Sequence, residues 1–204
     1  MIAKAHTAWR ALAVALPAVA LLAVAAVQPA RAYSLEGPKW ANGRTNFYYA
    51  VSGQPSAIFS TALRQALVIW NQKSAFKWVG YNRAANPCAA SGPNGAAFRP
   101  TACGQAFGSG VLGITMYSYN SGNRFIHAGT VFNSHVKFSV YDGPLRFNTT
   151  DFRRVALHEM GHALGLGHEN NRNIPAIMQP LVSNTARPTT DDIRGIRALY
   201  GPPG

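Results

Sequence analysis

The eleven-residue string from His158 to His168 constrains this 204-residue chain more than any other feature. It reads HEMGHALGLGH and has the spacing HExxHxxGxxH. On a helix, His158 and His162 lie about one turn apart on the same face, so their imidazoles can share one ion. Glu159 projects roughly 100° around the helix from His158, where it can reach a metal-bound water rather than the metal. The string therefore predicts a metal site on a helix with a carboxylate beside it.

Gly165, the glycine of the HExxHxxGxxH spacing, predicts where the helix ends. In a continued helix, His168 would point roughly 240° away from His162 and lie about 9 Å further along the axis, too far to share an ion. Gly165 can adopt the left-handed conformation without steric cost, which lets the helix stop and the chain turn back. His168 is then predicted to be the third metal ligand.

The string resembles the zinc-binding motif of the metzincin endopeptidases. Met178, in the sequence AIMQP, lies ten residues after His168 and matches the Met-turn methionine of that family, although alone it would read as a core methionine. Residues 191–201, DDIRGIRALYG, closely resemble the last helix of the matrixin branch. The resemblance is strong over residues 150–201 and weaker upstream, where it is more like bacterial matrixin-type proteins.

This resemblance implies an α+β fold: a zincin-like catalytic domain with a twisted, mostly parallel sheet, two long helices and a C-terminal helix. It also implies one catalytic zinc ion on the three histidines, with Gly165 and Met178 as structural support. Glu159 would act as the general base on a zinc-bound water that attacks a peptide carbonyl of a protein or peptide substrate. Pro180 matches the wall of the family's substrate pocket, whereas Val182 stands where an aromatic residue is common, so we expect an apolar pocket of different shape.

Other metal sites have less support in the sequence. Animal matrixins bind a second, structural zinc ion with three further histidines and an aspartate, but beyond the N-terminal segment this chain has only His127 and His135 outside the string. We therefore expect one zinc ion. Calcium sites need several carboxylates, and the acids outside the predicted helices amount to little more than Glu36 and Asp142. Calcium is thus possible but unsupported.

The N-terminus has the pattern of a secretory signal peptide. Lys4 and Arg10 precede an apolar run over residues 11–27, and ARA at residues 30–32 is an A-x-A cleavage site. A membrane span is the alternative, because a run of about 17 residues is at the lower limit of spanning length. We expect cleavage after Ala32 and secretion to the extracellular space or periplasm.

Residues 33–204 would then form one catalytic domain, a length suited to a single core. Loss of Lys4, Arg10 and Arg31 lowers the net charge from +12 to +9. The basic residues are scattered, so we expect no dedicated nucleic-acid site. We also expect no membrane span after cleavage, and a monomer.

Cys88 and Cys103 are the two cysteines of the chain. In an exported protein they are predicted to form a disulfide, worth roughly 3 kcal/mol for a loop of this length. The alternative comes from the family, in which a cysteine can block the zinc ion of a zymogen.

The spacing of apolar residues predicts helices and strands both before and after one long loop. A helical stripe runs from Phe59 to Trp70, and a final helix begins near Thr190, capped by Thr189 or Thr190. The remaining predictions are strands at 45–51 and 76–79, a stapled loop at 81–110, a hairpin of 111–117 with 124–132, irregular chain to 147, and the zinc helix at 150–165.

Two other functions are compatible with the motif. An exported binding or adhesion protein could keep the metal for structure alone, but such a protein would be free to lose Glu159. A zinc hydrolase of another bond, such as a cell-wall amide, would be supported by a wall-binding domain, and we find no sign of one in the sequence. The leading prediction is a secreted zinc endopeptidase.

Overall fold

A computed structural model of the protein describes residues 33–53 and 57–204. The predicted signal peptide, residues 1–32, lies outside the described residues, so its cleavage stays a prediction. In the described part of the chain, no helix is long and apolar enough to cross a membrane.

Five strands form one mixed sheet that helices cover. The sheet order is β2-β1-β3-β5-β4, in which neighbouring strands are parallel except for the edge strand β4, which runs antiparallel to β5. This arrangement confirms the predicted α+β class with a mostly parallel sheet. In chain order the elements are β1 (Arg44–Ser52), α1 (Ala57–Asn71), β2 (Lys77–Tyr81), β3 (Gly95–Arg99), β4 (Gly113–Tyr119), β5 (Phe125–Asn133), β6 (Phe138–Ser139), β7 (Thr150–Asp151), α2 (Phe152–His162) and α3 (Thr190–Tyr200).

The core lies between the sheet and the pair α1 and α2. The predicted stripe of α1 is buried, from Phe59 through Leu63 and Leu67 to Trp70. Trp70 also joins the two helices, because its Nε1 donates a hydrogen bond of 3.0 Å to the carbonyl oxygen of Leu157. The helix that carries the histidines is thus packed and hydrogen-bonded from behind, which suits a site that needs a fixed geometry.

The segment 81–110 was predicted to be one loop, and this prediction was wrong in its middle. Gly95–Arg99 forms β3, which lies between β1 and β5 at the centre of the sheet. Its sequence GAAFR lacks the β-branched residues that mark a strand. The crowding explains this composition: a Cβ at Gly95 would lie 2.6 Å from the Cβ of Ala85 and 3.0 Å from the Tyr48 carbonyl oxygen.

The flanks of β3 are joined by the disulfide between Cys88 and Cys103, whose Cα atoms lie 5.5 Å apart. Pro87, next to Cys88, lies against Gly129 of β5. The disulfide therefore secures a segment that packs directly on the sheet. Because both sulfur atoms are consumed in the bond, neither cysteine is a metal-blocking thiol in this structure.

The predicted hairpin and C-terminal helix are confirmed, and the bounds of the zinc helix differ slightly. β4 and β5 pair around the turn at 120–123, and α3 begins at Thr190 with Thr189 as its N-cap. α2 begins two residues later than predicted, since Thr150 and Asp151 pair with β6 instead. Asp151 caps the helix by accepting a hydrogen bond of 3.3 Å from the backbone N–H of Arg153.

Candidate active site

Three histidine side chains meet at the C-terminal end of α2. The Nε2 atom of His162 lies 3.0 Å from that of His158 and 3.1 Å from that of His168, and the latter two are 3.2 Å apart. Ligands about 2.0–2.1 Å from a tetrahedral zinc ion are separated by little more than this. The three nitrogens therefore fit one metal ion, and among the described residues they form the group of side chains close enough to hold one.

Backbone carbonyls orient two of these rings. The Nδ1 atom of His158 lies 2.8 Å from the carbonyl oxygen of Ile177, and that of His162 lies 2.8 Å from the carbonyl oxygen of Leu166. Since a carbonyl only accepts, each Nδ1 carries the proton and each Nε2 presents a lone pair. Burial, followed by the neighbouring histidines, also lowers the pKa of His158 and of His168 to about 4. The neutral form that a metal requires is favoured at these two positions.

His168 reaches the site because the chain reverses at Gly165. Gly165 has a φ of +99°, and a Cβ there would lie 2.6 Å from the carbonyl oxygen of Pro38. The turn is backed by an extended segment near the start of the described chain: Glu36 N–H donates to Gly165 O and Gly167 N–H to Ser34 O, both at 2.9 Å. Residues far apart in sequence thus hold the third histidine in place.

Met178 packs beneath the histidines against α2. It is buried, and a Cβ at Gly161 would overlap its sulfur atom, so Gly161, at an x position of HExxHxxGxxH, provides the space for this contact. The turn that carries Met178 is fixed by Asp192, whose carboxylate accepts hydrogen bonds from the backbone N–H groups of Ile177 at 2.9 Å and of Met178 at 3.1 Å. In the sequence Asp192 belongs only to the start of the last helix, and this role was not predicted.

Glu159 lies beside the histidines and is almost fully buried, with 4% of its surface exposed. The hydroxyl of Thr115, on the edge strand β4, donates a hydrogen bond of 2.7 Å to its Oε2. Burial raises the pKa of Glu159, while His162 and Thr115 act in the opposite direction. A carboxylate of raised pKa therefore lies next to the three histidines. The contact of Thr115 with this carboxylate was not predicted.

A second carboxylate, Glu36, also faces the histidines. Its Oε2 accepts a hydrogen bond of 3.0 Å from the Tyr117 hydroxyl, and its Oε1 lies 3.5 Å from Nδ1 of His162. The contact with His162 lowers the pKa of Glu36, and burial together with Glu36 raises the pKa of Tyr117 to about 12. From the sequence, Glu36 was a candidate only for a calcium site, so its position beside the histidines was not predicted. The other such candidate, Asp142, forms a 2.8 Å ion pair with Arg153.

An open cleft of about 620 Å³ runs past the three histidines and Glu159. β4 lines it from Gly113 to Tyr117, together with Leu112 just before the strand and Val155 of α2. Pro180 and Val182, the residues predicted for the substrate pocket, both line this cleft. The cleft is therefore bounded by a sheet edge, a helix and the segment after Met178.

The two remaining histidines of the described chain lie in different environments. His135 is exposed, whereas His127 on β5 is buried, and its Nε2 has no hydrogen-bond partner among the described residues. The carbonyl oxygen of Pro93 interacts with the other ring nitrogen, but burial outweighs it and lowers the pKa of His127. Protonation of His127 would leave a buried charge without a counter-ion.

His127 should make the protein less stable in acid. Its lowered pKa means that the unfolded chain binds the proton first, so stability is lost as the pH falls below about 6.5, the usual pKa of histidine. His127→Asn keeps a donor near Pro93 and removes the titration, so its free energy of unfolding should change less between pH 7.5 and pH 5 in urea denaturation. His135→Asn, at an exposed position, is the matched control. Equal pH dependence in wild type and His127→Asn would contradict this expectation.

Comparison with known proteins agrees with the geometry of the site. The family model described as Matrixin, of peptidase family M10, matches residues 39–201. The chain belongs to the matrixin family. The match confirms the resemblance seen in the sequence and extends it upstream over β1 to β5. Family membership supports a zinc metalloendopeptidase as the class of this matrixin and implies zinc as the ion for its histidines.

Several curated matrixins are similar to this chain over parts of their length. Metalloendoproteinase 1 of Glycine max is 30% identical over 186 residues, which cover 80% of this chain and 53% of the relative. Matrix metalloproteinase-16 of Homo sapiens is 28% identical over 84% of this chain and 29% of its own length. Matrix metalloproteinase-15 of Homo sapiens is 47% identical over 72 residues, 30% of this chain and 10% of the relative. The chain thus spans about half or less of the length of these relatives.

Proposed function

We propose that this matrixin is a secreted zinc-dependent endopeptidase with Glu159 as its general base. The observation that carries the proposal is the convergence of three Nε2 atoms within 3.2 Å of one another on a cleft that Glu159 also lines. His158, His162 and His168 would hold the zinc ion. When bound, zinc acts as a Lewis acid that lowers the pKa of water to about 7 and polarises a carbonyl group.

Glu159 performs the proton transfers in this proposal. Thr115 occupies its Oε2, which leaves Oε1 to accept the proton of the attacking water and to deliver it to the departing amine. The raised pKa of the buried carboxyl brings its basicity closer to neutral pH, where a general base works best. No side chain is required as a covalent nucleophile.

The edge of the sheet supports binding of an extended polypeptide. β4 pairs with β5 on one side, and its other edge borders the cleft. A substrate chain can add to such an edge through main-chain hydrogen bonds while its side chains enter pockets on the opposite wall. Val155, Pro180 and Val182 give the cleft an apolar part of its lining, which favours an apolar side chain next to the cleaved bond.

Several further properties belong to the same proposal. The predicted signal peptide and the disulfide both suit an oxidising compartment outside the cytoplasm, either extracellular or periplasmic. We propose one zinc ion per chain, a monomeric protein, and no dedicated nucleic-acid binding. Proteins and peptides are the proposed substrates.

A direct test is hydrolysis of an unfolded, fluorescently labelled protein by the purified natively exported protein. We expect hydrolysis that stops with a metal chelator and returns on addition of zinc, together with about one zinc ion per chain by metal analysis. Hydrolysis that persists in excess chelator would contradict the proposal, and two tightly held zinc ions would contradict the single site. Bound zinc without hydrolysis of any unfolded protein would favour an exported binding protein instead.

A further inference from the structure

A second pocket, of about 310 Å³, adjoins the cleft beyond the beginning of β4. Leu112 and Val182 line both cavities, so the two are neighbours. The remaining lining comes from Lys137 and from the segment 145–150, which connects β6 to β7. We refer to this cavity as the distal pocket. None of its residues belongs to the metal site.

A hydrogen-bonded turn projects Phe147 from the rim of the distal pocket into solvent, with 99% of its surface exposed. Arg146 and Thr149 form a bridge across the turn. The Tyr141 hydroxyl accepts from the backbone N–H of Arg146 at 3.2 Å and donates to the Thr149 carbonyl oxygen at 3.4 Å. The Arg146 guanidinium also stacks over the Tyr141 ring, 4.2 Å from its centroid. Phe147 is thus presented by a braced turn.

The turn is also tied to the wall of the cleft. The backbone N–H of Leu145 donates a hydrogen bond of 2.9 Å to Oδ1 of Asn184, two residues beyond Val182. Large apolar side chains are exposed on both sides of this connection: Leu145 at 43% and Leu181 at 67%, in addition to Phe147. Clustered exposed apolar side chains of this kind mark binding surfaces, because each remains in contact with water until a partner covers it.

The charge of the distal pocket is positive. Lys137 and Arg146 are exposed, and the lining contains no acidic residue. An occupant that complements this lining carries a large apolar side chain for Phe147 and Leu145 and a carboxylate for the two basic groups. Because Leu112 and Val182 border both the pocket and the cleft, the same polypeptide that lies along β4 can reach it.

We propose that the distal pocket binds the substrate chain several residues from the cleaved bond, at a large apolar residue with an acidic neighbour. The inference rests on the proposed function. An extended chain advances about 3.3 Å per residue, so each added residue lets a peptide reach further from the cleaved bond, and Phe147 lines the distal pocket but not the cleft. Long substrates gain this contact and short peptides do not. The pocket therefore selects for extended, unfolded polypeptides that combine apolar and acidic residues.

The test compares two peptides that share one cleavage site. The short peptide has three residues on each side of the bond, and the long peptide extends ten residues on each side, with one leucine flanked by glutamates moved stepwise along the extension. The quantity compared is kcat/KM of the best long peptide divided by kcat/KM of the short peptide. We expect this ratio to be about 5–20-fold lower in Phe147→Ala than in wild type, as for loss of an apolar anchor. Ile126→Ala is the matched control, since Ile126 is 59% exposed on β5 and lines neither cavity; its ratio should match wild type.

A second arm tests the charge and separates the two proposals. Lys137→Gln should reduce the preference for glutamate over glutamine in the long peptide about 2–5-fold, and added salt should reduce it in wild type. Binding of the same peptides is also measured to two zinc-loaded proteins, Glu159→Gln and the double variant Glu159→Gln with Phe147→Ala. Glu159→Gln should bind the long peptide more tightly than the short one, and the added Phe147→Ala should reduce this difference. Unchanged ratios and affinities in Phe147→Ala would overturn the distal pocket and leave the peptidase intact. Failure to cleave any peptide would overturn the peptidase, while the binding measurements would still decide on the pocket.

Discussion

Glu159→Gln should abolish measurable peptide hydrolysis while the protein keeps its zinc ion and its fold. A glutamine side chain fills the same buried space and its carbonyl oxygen can still accept the hydrogen bond from Thr115, but it cannot take a proton from water. General acid–base catalysis contributes about 10²–10⁴-fold, or roughly 3–5 kcal/mol of transition-state stabilisation. The measurements are kcat/KM on a peptide, zinc content after dialysis, and circular dichroism.

His168→Ala is the informative comparison for this variant. It removes a ligand instead of the base, so activity and zinc affinity should fall together, and excess zinc should restore part of the activity. Near-normal turnover by Glu159→Gln would show that another group takes the proton. Loss of zinc from Glu159→Gln would show that the carboxylate supports the metal site and would remove the distinction between the two variants.

Gly129→Ala should destabilise the protein by about 2–4 kcal/mol, the range of severe overpacking. A Cβ at this position of β5 would overlap the carbonyl oxygen of Pro87 and lie 2.7 Å from its carbonyl carbon. Backbone atoms cannot rotate away as a side chain can, and Pro87 precedes the disulfide-bonded Cys88. Accommodation therefore requires movement of the whole stapled segment away from the sheet.

The matched control is Gly43→Ala, because an added Cβ at Gly43 meets nothing within 4 Å and its backbone is not in the left-handed region. We expect Gly43→Ala to change the free energy of unfolding by less than about 0.5 kcal/mol. Urea denaturation of both variants decides the matter. Equal stability of Gly129→Ala and Gly43→Ala would show that the segment around Pro87 can lift from β5 at little cost.

The arrangement of the three histidines could be predicted because it depends on local geometry. The spacing of His158 and His162 follows from helical periodicity, and the reversal that returns His168 follows from the φ of Gly165. Long apolar patterns such as that of α1 were equally accessible, since one face of a helix repeats at a known interval. In these cases the cause of the structure lies within a few residues of the pattern.

The residues that support the site could not be predicted in the same way. Thr115 meets Glu159 across 44 positions of sequence, and Glu36 reaches Tyr117 across 81. These contacts depend on strand order and register, which a single sequence does not specify. β3 was missed for a related reason: small residues that fit a crowded sheet centre resemble the composition of a loop.

Asp192 has a consequence for the order in which the protein becomes competent during its synthesis. Its carboxylate holds the turn of Ile177 and Met178, and Ile177 in turn orients His158. A nascent chain that has reached only residue 188 already contains the complete HExxHxxGxxH string, yet it lacks the carboxylate that fixes the turn behind it. The ribosome therefore produces the metal-binding string before the side chain that braces it. On the proposed function, the capacity to cleave proteins needs a chain that extends past Asp192, so a shorter nascent polypeptide carries the motif without the assembled centre.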